Sequence, residues 1–166
     1  MLPEWLISKF EITWLEIAWI ILILIHILPV AIYILNMKHI AEKKPWNVKT
    51  NENYEPKVSI LIPTYQEART IRRKLDNILE VDYPKDNMEV IIVDGASTDG
   101  TPEIVEEWAR GHPEIKIKLI REKKRRGMVK AENLGIKNAE NEIIVKTDAD
   151  CLWLKNSLKN MVKYLA

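Results

Sequence analysis

The chain has 166 residues, 47% of them hydrophobic and 30% charged, with a formal net charge of +1 at neutral pH. That balance gives no sign of disorder, and the length leaves room for one ordinary domain plus an apolar extension. The near-zero charge gives no global attraction to nucleic acid, and the single cysteine, Cys151, excludes an intrachain disulfide and a thiolate metal cluster. Cys151 is small and sits beside a strand end, so it is expected in the core.

From Ile17 to Leu35 the sequence reads IAWIILILIHILPVAIYIL. As a helix this stretch is ~29 Å long at ~1.5 Å per residue, about one hydrocarbon core. It is apolar all round, with Trp5, Trp14 and Trp19 at one margin and Tyr33 and Trp46 at the other, the pattern of a membrane span with aromatic belts. Glu4, Glu11 and Glu16 precede it in place of a basic leader, so a retained anchor is expected rather than a cleaved signal. Lys38, Lys43, Lys44 and Lys49 follow the span, whereas only Lys9 precedes it, which places the globular part on the cytoplasmic side of the cell membrane in a single-pass topology. His26 and Pro29 inside the span read as a helix contact and a kink. The expected organisation is an anchor over 1–36, a lysine-rich juxtamembrane linker over 37–56 and a globular domain over 57–166.

Beyond the linker, strand and helix patterns alternate. Lys57 to Ile62 is a β-branched run, Gln66 to Glu80 carries apolar residues at helical spacing, and Met88 to Val93 is a second apolar strand. A helix is expected from Thr101 as N-cap, with Pro102 in its first turn, to Gly111. Ile115 to Ile120 is the third strand, Ala131 to Asn138 a helix, Glu142 to Thr147 the fourth strand, and the apolar spacing from Leu154 to Leu165 predicts a last helix. Alternation of this kind predicts an α/β fold with a Rossmann-like, mostly parallel sheet preceded by one transmembrane helix.

Three polar loops fall at strand carboxyl ends, where open α/β sheets bind ligands. The first, Pro63-Thr64-Tyr65-Gln66-Glu67, offers an aromatic face to a base. The second begins at Asp94 and runs to Thr101; its carboxylate suits hydroxyl or imino donors, although an Asx-rich turn capping the next helix explains the same residues. The third, Asp148-Ala149-Asp150, has two carboxylates able to hold a hard divalent cation against phosphate oxygens, although an isolated Asp-x-Asp occurs by chance in many proteins. A basic cluster, Arg121 with Lys123 to Arg126, is either a solvated loop or a phosphate neighbour.

Taken in order, Ile-Pro-Thr-Tyr-Gln-Glu, Ile-Val-Asp-Gly-Ala-Ser-Thr-Asp-Gly-Thr, Arg-Arg-Gly-Met-Val-Lys-Ala-Glu-Asn-Leu-Gly-Ile and Thr-Asp-Ala-Asp resemble the amino-terminal half of the family 2 glycosyltransferases. That GT-A fold group includes polysaccharide synthases and polyprenol-phosphate sugar transferases. The resemblance covers about Lys57 to Ala166 and implies inverting transfer from a nucleotide-diphosphate sugar, a UDP-sugar being favoured, to a polysaccharide or lipid-linked acceptor. By position it implies that Pro63, Thr64, Tyr65 and Glu67 border the base and that Asp94 recognises base or ribose. Asp148 and Ala149 would contact the nucleotide, Asp148 and Asp150 would bind Mg²⁺ or Mn²⁺, and Arg126 would add positive charge near the diphosphate. No nucleic-acid partner is expected.

This sequence departs from the family pattern at Gln66, usually asparagine, at Gly95, often a second aspartate, and at Leu152, a glutamine ligand in some polyprenol-phosphate transferases. No residue is assigned as general base, a role that inverting displacement requires. The expectation is that this chain carries the donor and metal site of an enzyme whose acceptor side lies beyond Ala166 or is encoded separately. The alternative is a non-catalytic, membrane-anchored nucleotide-sugar-binding protein. A nucleotidyltransferase is disfavoured because Pro63 to Arg69 is neither glycine-rich nor strongly basic.

Overall fold

The structure, a computed structural model, describes residues 13–43 and 48–166. Glu4, Trp5, Lys9, Glu11, Lys44 and Trp46 lie outside the described residues. The chain divides into two units, Met1–Asn47 and Val48–Ala166.

In the first unit, helix α1 spans Trp14–Lys43 and buries none of its residues. It is long and apolar enough to cross a membrane, and it continues eight residues past the expected end of the apolar run at Leu35. Thr13 caps it, with its amide and hydroxyl both donating to the Glu16 carboxylate at 2.7 and 3.0 Å. His26 Nδ1 donates to the Leu22 carbonyl at 2.8 Å, so one ring nitrogen in the apolar run is satisfied within its own helix.

In the second unit, β1 (Val58–Thr64), β2 (Met88–Asp94), β3 (Lys116–Arg121) and β4 (Ile143–Lys146) form one sheet in the order β3-β2-β1-β4. All the pairings are parallel, with Ile60 opposite Val90 on one side and Val145 on the other. Helices α2 (Ile71–Leu79), α3 (Thr101–Gly111), α4 (Met128–Asn138) and the short α5 (Ser157–Val162) connect and follow the strands. The period-two alternation of each strand splits the core between the two faces. Ile60, Ile62, Val90 and Ile92 pack with Ile71, Leu75, Val105, Trp108 and Leu158 on one face. Leu61, Ile91 and Val93 pack with Ala131 and Leu134 of α4 on the other.

The placement of α4 follows from handedness. Going from β1 to β2 to β3 the chain moves one way across the sheet, with α2 and α3 on one face; it then returns past β1 to β4. A right-handed crossover in the reverse direction puts its helix on the opposite face. The carboxyl ends of β1 and β4 therefore flank the point where strand order reverses, the usual place for a ligand crevice. Close packing of α4 on β1 depends on Gly135, where a Cβ would overlap the Leu61 methyl group.

Boundaries differ from the sequence expectation where loops compete with helices. Helix α2 starts at Ile71 rather than Gln66, because Gln66 has φ 61°, a left-handed conformation outside the α-helix. Gly100, with φ 92°, takes the cap position expected for Thr101, whose hydroxyl is engaged elsewhere. The last helix contracts to six residues, burying Leu158 and Val162 and leaving Leu154 and Leu165 exposed.

Candidate donor-binding site

Hydrogen bonds between the loops after β1 and β2 make them a single platform. The Gln66 amide donates to Ser97 Oγ at 2.9 Å, its side chain donates to Thr98 Oγ1 at 3.0 Å, and the Glu67 amide donates to Thr101 Oγ1 at 2.9 Å. The Ala68 amide donates to Asp99, which also accepts from the Thr101 amide and hydroxyl. Desolvation works against the Asp99 charge, but the Thr101 and Ala68 hydrogen bonds outweigh it and hold the carboxyl below its usual range.

Above this platform is a cavity of about 380 Å³ lined by Pro63, Thr64, Tyr65, Glu67, Gly95, Glu122, Arg125, Gly127, Met128, Ala131 and Asp148 to Asp150. The Arg125 guanidinium lies over the Tyr65 ring, 3.9 Å from its centroid, a cation–π contact. Gly127, with φ 90° and ψ 159°, turns the chain into α4 in a region that side chains strain to adopt. Asp94 and Arg126 are not among the lining residues, and the Arg126 side chain is exposed. Asp94 is buried and accepts from Thr64 Oγ1 at 3.1 Å and from the Ser97 amide and hydroxyl at 2.8 and 2.6 Å. Arg126 Nε donates to Glu122 Oε1 at 2.7 Å.

At the β4 end, Asp148 and Asp150 are exposed, and ligand atoms of Asp148, Asp150 and Cys151 lie within 4.8 Å of one another. Carboxylate oxygens suit Mg²⁺ or Mn²⁺, whereas a thiolate suits softer ions, so the two aspartates are the pair that fits such a cation. Asp148 Oδ1 is 2.8 Å from Lys146 Nζ, a hydrogen-bonded pair that holds the Lys146 ammonium above its usual range. Cys151, expected in the core, is exposed. The reason is that its backbone, not its side chain, meets the interior: Lys74 Nζ donates to the Cys151 carbonyl at 2.6 Å and to Thr147 Oγ1 at 2.9 Å. Lys74 is fully buried, with Nζ 4.5 Å from the Trp153 ring centroid, and burial lowers its pKa to about 8.

Of the residues expected from the sequence, Pro63, Thr64, Tyr65, Glu67, Asp148, Ala149 and Asp150 line this cavity, whereas Asp94 and Arg126 do not. The sequence reading singles out neither Glu122 nor Lys74, and within the basic cluster it selects Arg126 rather than Arg125. Arg125 and Arg126 are adjacent and chemically alike, so only the backbone path after β3 separates the one that faces the cavity from the one that does not.

The glycosyl transferase family 2 profile matches residues 59–166. The chain belongs to that family. It is 38% identical over 106 residues to the Methanococcus voltae enzyme named dolichyl N-acetyl-alpha-D-glucosaminyl phosphate 3-beta-D-2,3-diacetamido-2,3-dideoxy-beta-D-glucuronosyltransferase, across 64% of this chain and 33% of that one. Among solved structures, the mannosyltransferase PcManGT from Pyrobaculum calidifontis, in complex with GDP-Man and Mn²⁺, superposes with a TM-score of 0.81 at 46% identity, across 89% of this chain and 43% of that one. Residues 1–349 of Staphylococcus aureus TarS in complex with UDP-GlcNAc superpose at 0.59 with 33% identity, across 64% of this chain and 30% of that one. The chain therefore spans less than half the length of these relatives, and its α/β unit has the GT-A fold they share.

Proposed function

We propose that this chain is the donor-binding part of a membrane-anchored, inverting glycosyltransferase that uses a nucleotide-diphosphate sugar. The observation that carries this reading is one cavity lined both by an aromatic face, Tyr65, and by an exposed aspartate pair, Asp148 and Asp150, in a family 2 chain. Helix α1 supplies the anchor, and the lysines that follow the apolar run favour a cytoplasmic globular unit at the cell membrane.

Strands in a sheet lie ~4.8 Å apart, so three intervals carry the cavity about 14 Å from the end of β3 to the end of β4, the reach of an extended nucleoside diphosphate. The base stacks near Tyr65 and the diphosphate lies toward β4. Asp148 and Asp150 would hold Mg²⁺ or Mn²⁺, which would offset the charge of a leaving diphosphate. Arg125 adds positive charge from the loop before α4, Arg126 braces that loop through Glu122, and Asp94 holds the Ser97 turn under the nucleoside. The acceptor is a polysaccharide or a lipid-linked sugar, and no residue of this chain is assigned to take its proton. The family resemblance alone favours a UDP-sugar, but GDP-Man and UDP-GlcNAc each occupy one of the two solved relatives, so family membership does not decide the base.

The test is equilibrium binding of GDP and UDP to the purified full chain in detergent, with and without Mn²⁺. Binding of either nucleotide should require the metal and be lost in Asp150→Ala. Equal binding in Mn²⁺ and in EDTA, or an Asp150→Ala chain that binds as before, would remove the aspartate pair from the site.

A further inference from the structure

One carboxylate oxygen in the donor cavity has no partner. Glu122 follows β3, where its amide donates to the Asp94 carbonyl at 2.9 Å, which fixes its position at the end of the cavity farthest from Asp150. Its side chain is 1% exposed, its Oε1 accepts from Arg126 Nε, and its Oε2 is enclosed without a hydrogen-bond partner. Buried polar groups are nearly always paired, and a bare carboxylate oxygen is among the costliest to leave open. Such a group in a ligand cavity marks a contact that the ligand completes.

Resting on the nucleotide-sugar reading, we infer that Glu122 reads the base of the donor and that the base is guanine. The Tyr65 ring is the stacking face, and the Arg125 guanidinium now over it occupies the position that a base would take or share. Of the other carboxylates near the base end, Asp94 already accepts three hydrogen bonds from Thr64 and Ser97, and Glu67, only half-buried, accepts from Thr70 Oγ1 and is open to water. Glu122 is the enclosed acceptor left for the base edge. An ionised carboxylate presents only acceptors, side by side, and Oε1 keeps a second lone pair beyond its bond from Arg126, so both oxygens can accept. Guanine answers with two adjacent donors, the N1 imino hydrogen and the N2 amino group. The corresponding edge of uracil has one donor between two carbonyl oxygens, which would face the carboxylate with like charge. Cytosine and adenine each place an unprotonated ring nitrogen beside their amino group. Arg126 contributes by holding the carboxylate through Oε1 and leaving Oε2 open.

A site built to accept two hydrogen bonds rejects an analogue lacking one of them, because its own buried group is then left unpaired. Isothermal titration of the full chain in detergent with Mn²⁺ should therefore rank GDP above inosine diphosphate, which lacks the N2 amino group, by about tenfold, and above UDP by at least as much. Glu122→Gln, nearly isosteric, should weaken GDP by about tenfold or more while changing UDP by less than about twofold. The nucleotide series on the unaltered protein does not depend on how the variant folds. UDP binding as tightly as GDP, or equal losses for both nucleotides in Glu122→Gln, would overturn the assignment while leaving a nucleotide-sugar site intact. Failure of all three nucleotides to bind would overturn the nucleotide-sugar reading, and this inference with it.

Discussion

Lys74 is a buried cation directly beneath the aspartate loop, and its energetics are measurable. Its ammonium makes two hydrogen bonds, to Thr147 Oγ1 and the Cys151 carbonyl, and it lies against Trp153. Burial nevertheless dominates: its pKa falls from 10.5 to about 8, despite attraction from Cys151, Asp148 and Asp150. Between those two values the unfolded chain carries a proton on Lys74 that the folded chain has released. Stability rises with pH wherever the unfolded state binds more protons, so this group destabilises the fold below pH 8 and the penalty fades as pH approaches 10.5. The displacement corresponds to about 3 kcal/mol in full.

Lys74→Met keeps the length of the side chain and removes the charge. The difference in unfolding free energy between the original chain and Lys74→Met, from urea titrations at pH 7 to 10.5, cancels the other titrating lysines and tyrosines to first order. The difference should move in favour of the original chain by about 3 kcal/mol across that window. Methionine also leaves the Thr147 hydroxyl and Cys151 carbonyl without their donor, at about 1 kcal/mol each, an offset that does not vary with pH. A difference that stays flat from pH 7 to 10.5 would show that Lys74 titrates normally and would refute the reasoning. Adding Mn²⁺ should shift the window to lower pH, since a cation at Asp148 and Asp150 offsets the carboxylates that favour the Lys74 charge.

Gly135→Ala should destabilise the second unit by about 1–3 kcal/mol in the same urea assay, because α4 has no room for a methyl over Leu61; adding Leu61→Val should recover part of the loss. Thr101→Ala should cost about 1–2 kcal/mol and weaken nucleotide binding, since its hydroxyl links Glu67 and Asp99 across the two platform loops. Tyr65→Ala should leave stability nearly unchanged and weaken metal-dependent nucleotide binding by about 1–3 kcal/mol, the scale of one base stacked on an aromatic ring.

Much of this architecture is legible in the sequence because it rests on local patterns. Each strand is short, β-branched and bounded by turn residues, and the alternation of strands and helices requires a parallel sheet with covered faces. The loops at the strand ends were legible for the same reason, since their position follows from the strands that carry them. What failed locally did so where tertiary bonds override propensity. Gln66 to Thr70 is compatible with a helix, yet the Ser97, Thr98, Asp99 and Thr101 side chains draw the Gln66, Glu67 and Ala68 groups into the platform and force Gln66 into the left-handed region.

The two enclosed charges, Lys74 and Glu122, were the least legible, and for a general reason. Lys74 on a helix and Glu122 among five basic residues both look like solvated surface charges, and nothing in spacing separates them from Arg73 or Lys123. Only the folded environment does so, by enclosing Lys74 completely and by leaving one Glu122 oxygen unpartnered. A motif identifies which loops meet the donor; the hydrogen-bond inventory identifies which atoms there still lack a partner. If Glu122 supplies that missing contact, donor choice in this chain is set by a position outside the Asp-x-Asp element, and exchanging Asp148 or Asp150 would lower affinity for every nucleotide without altering their order.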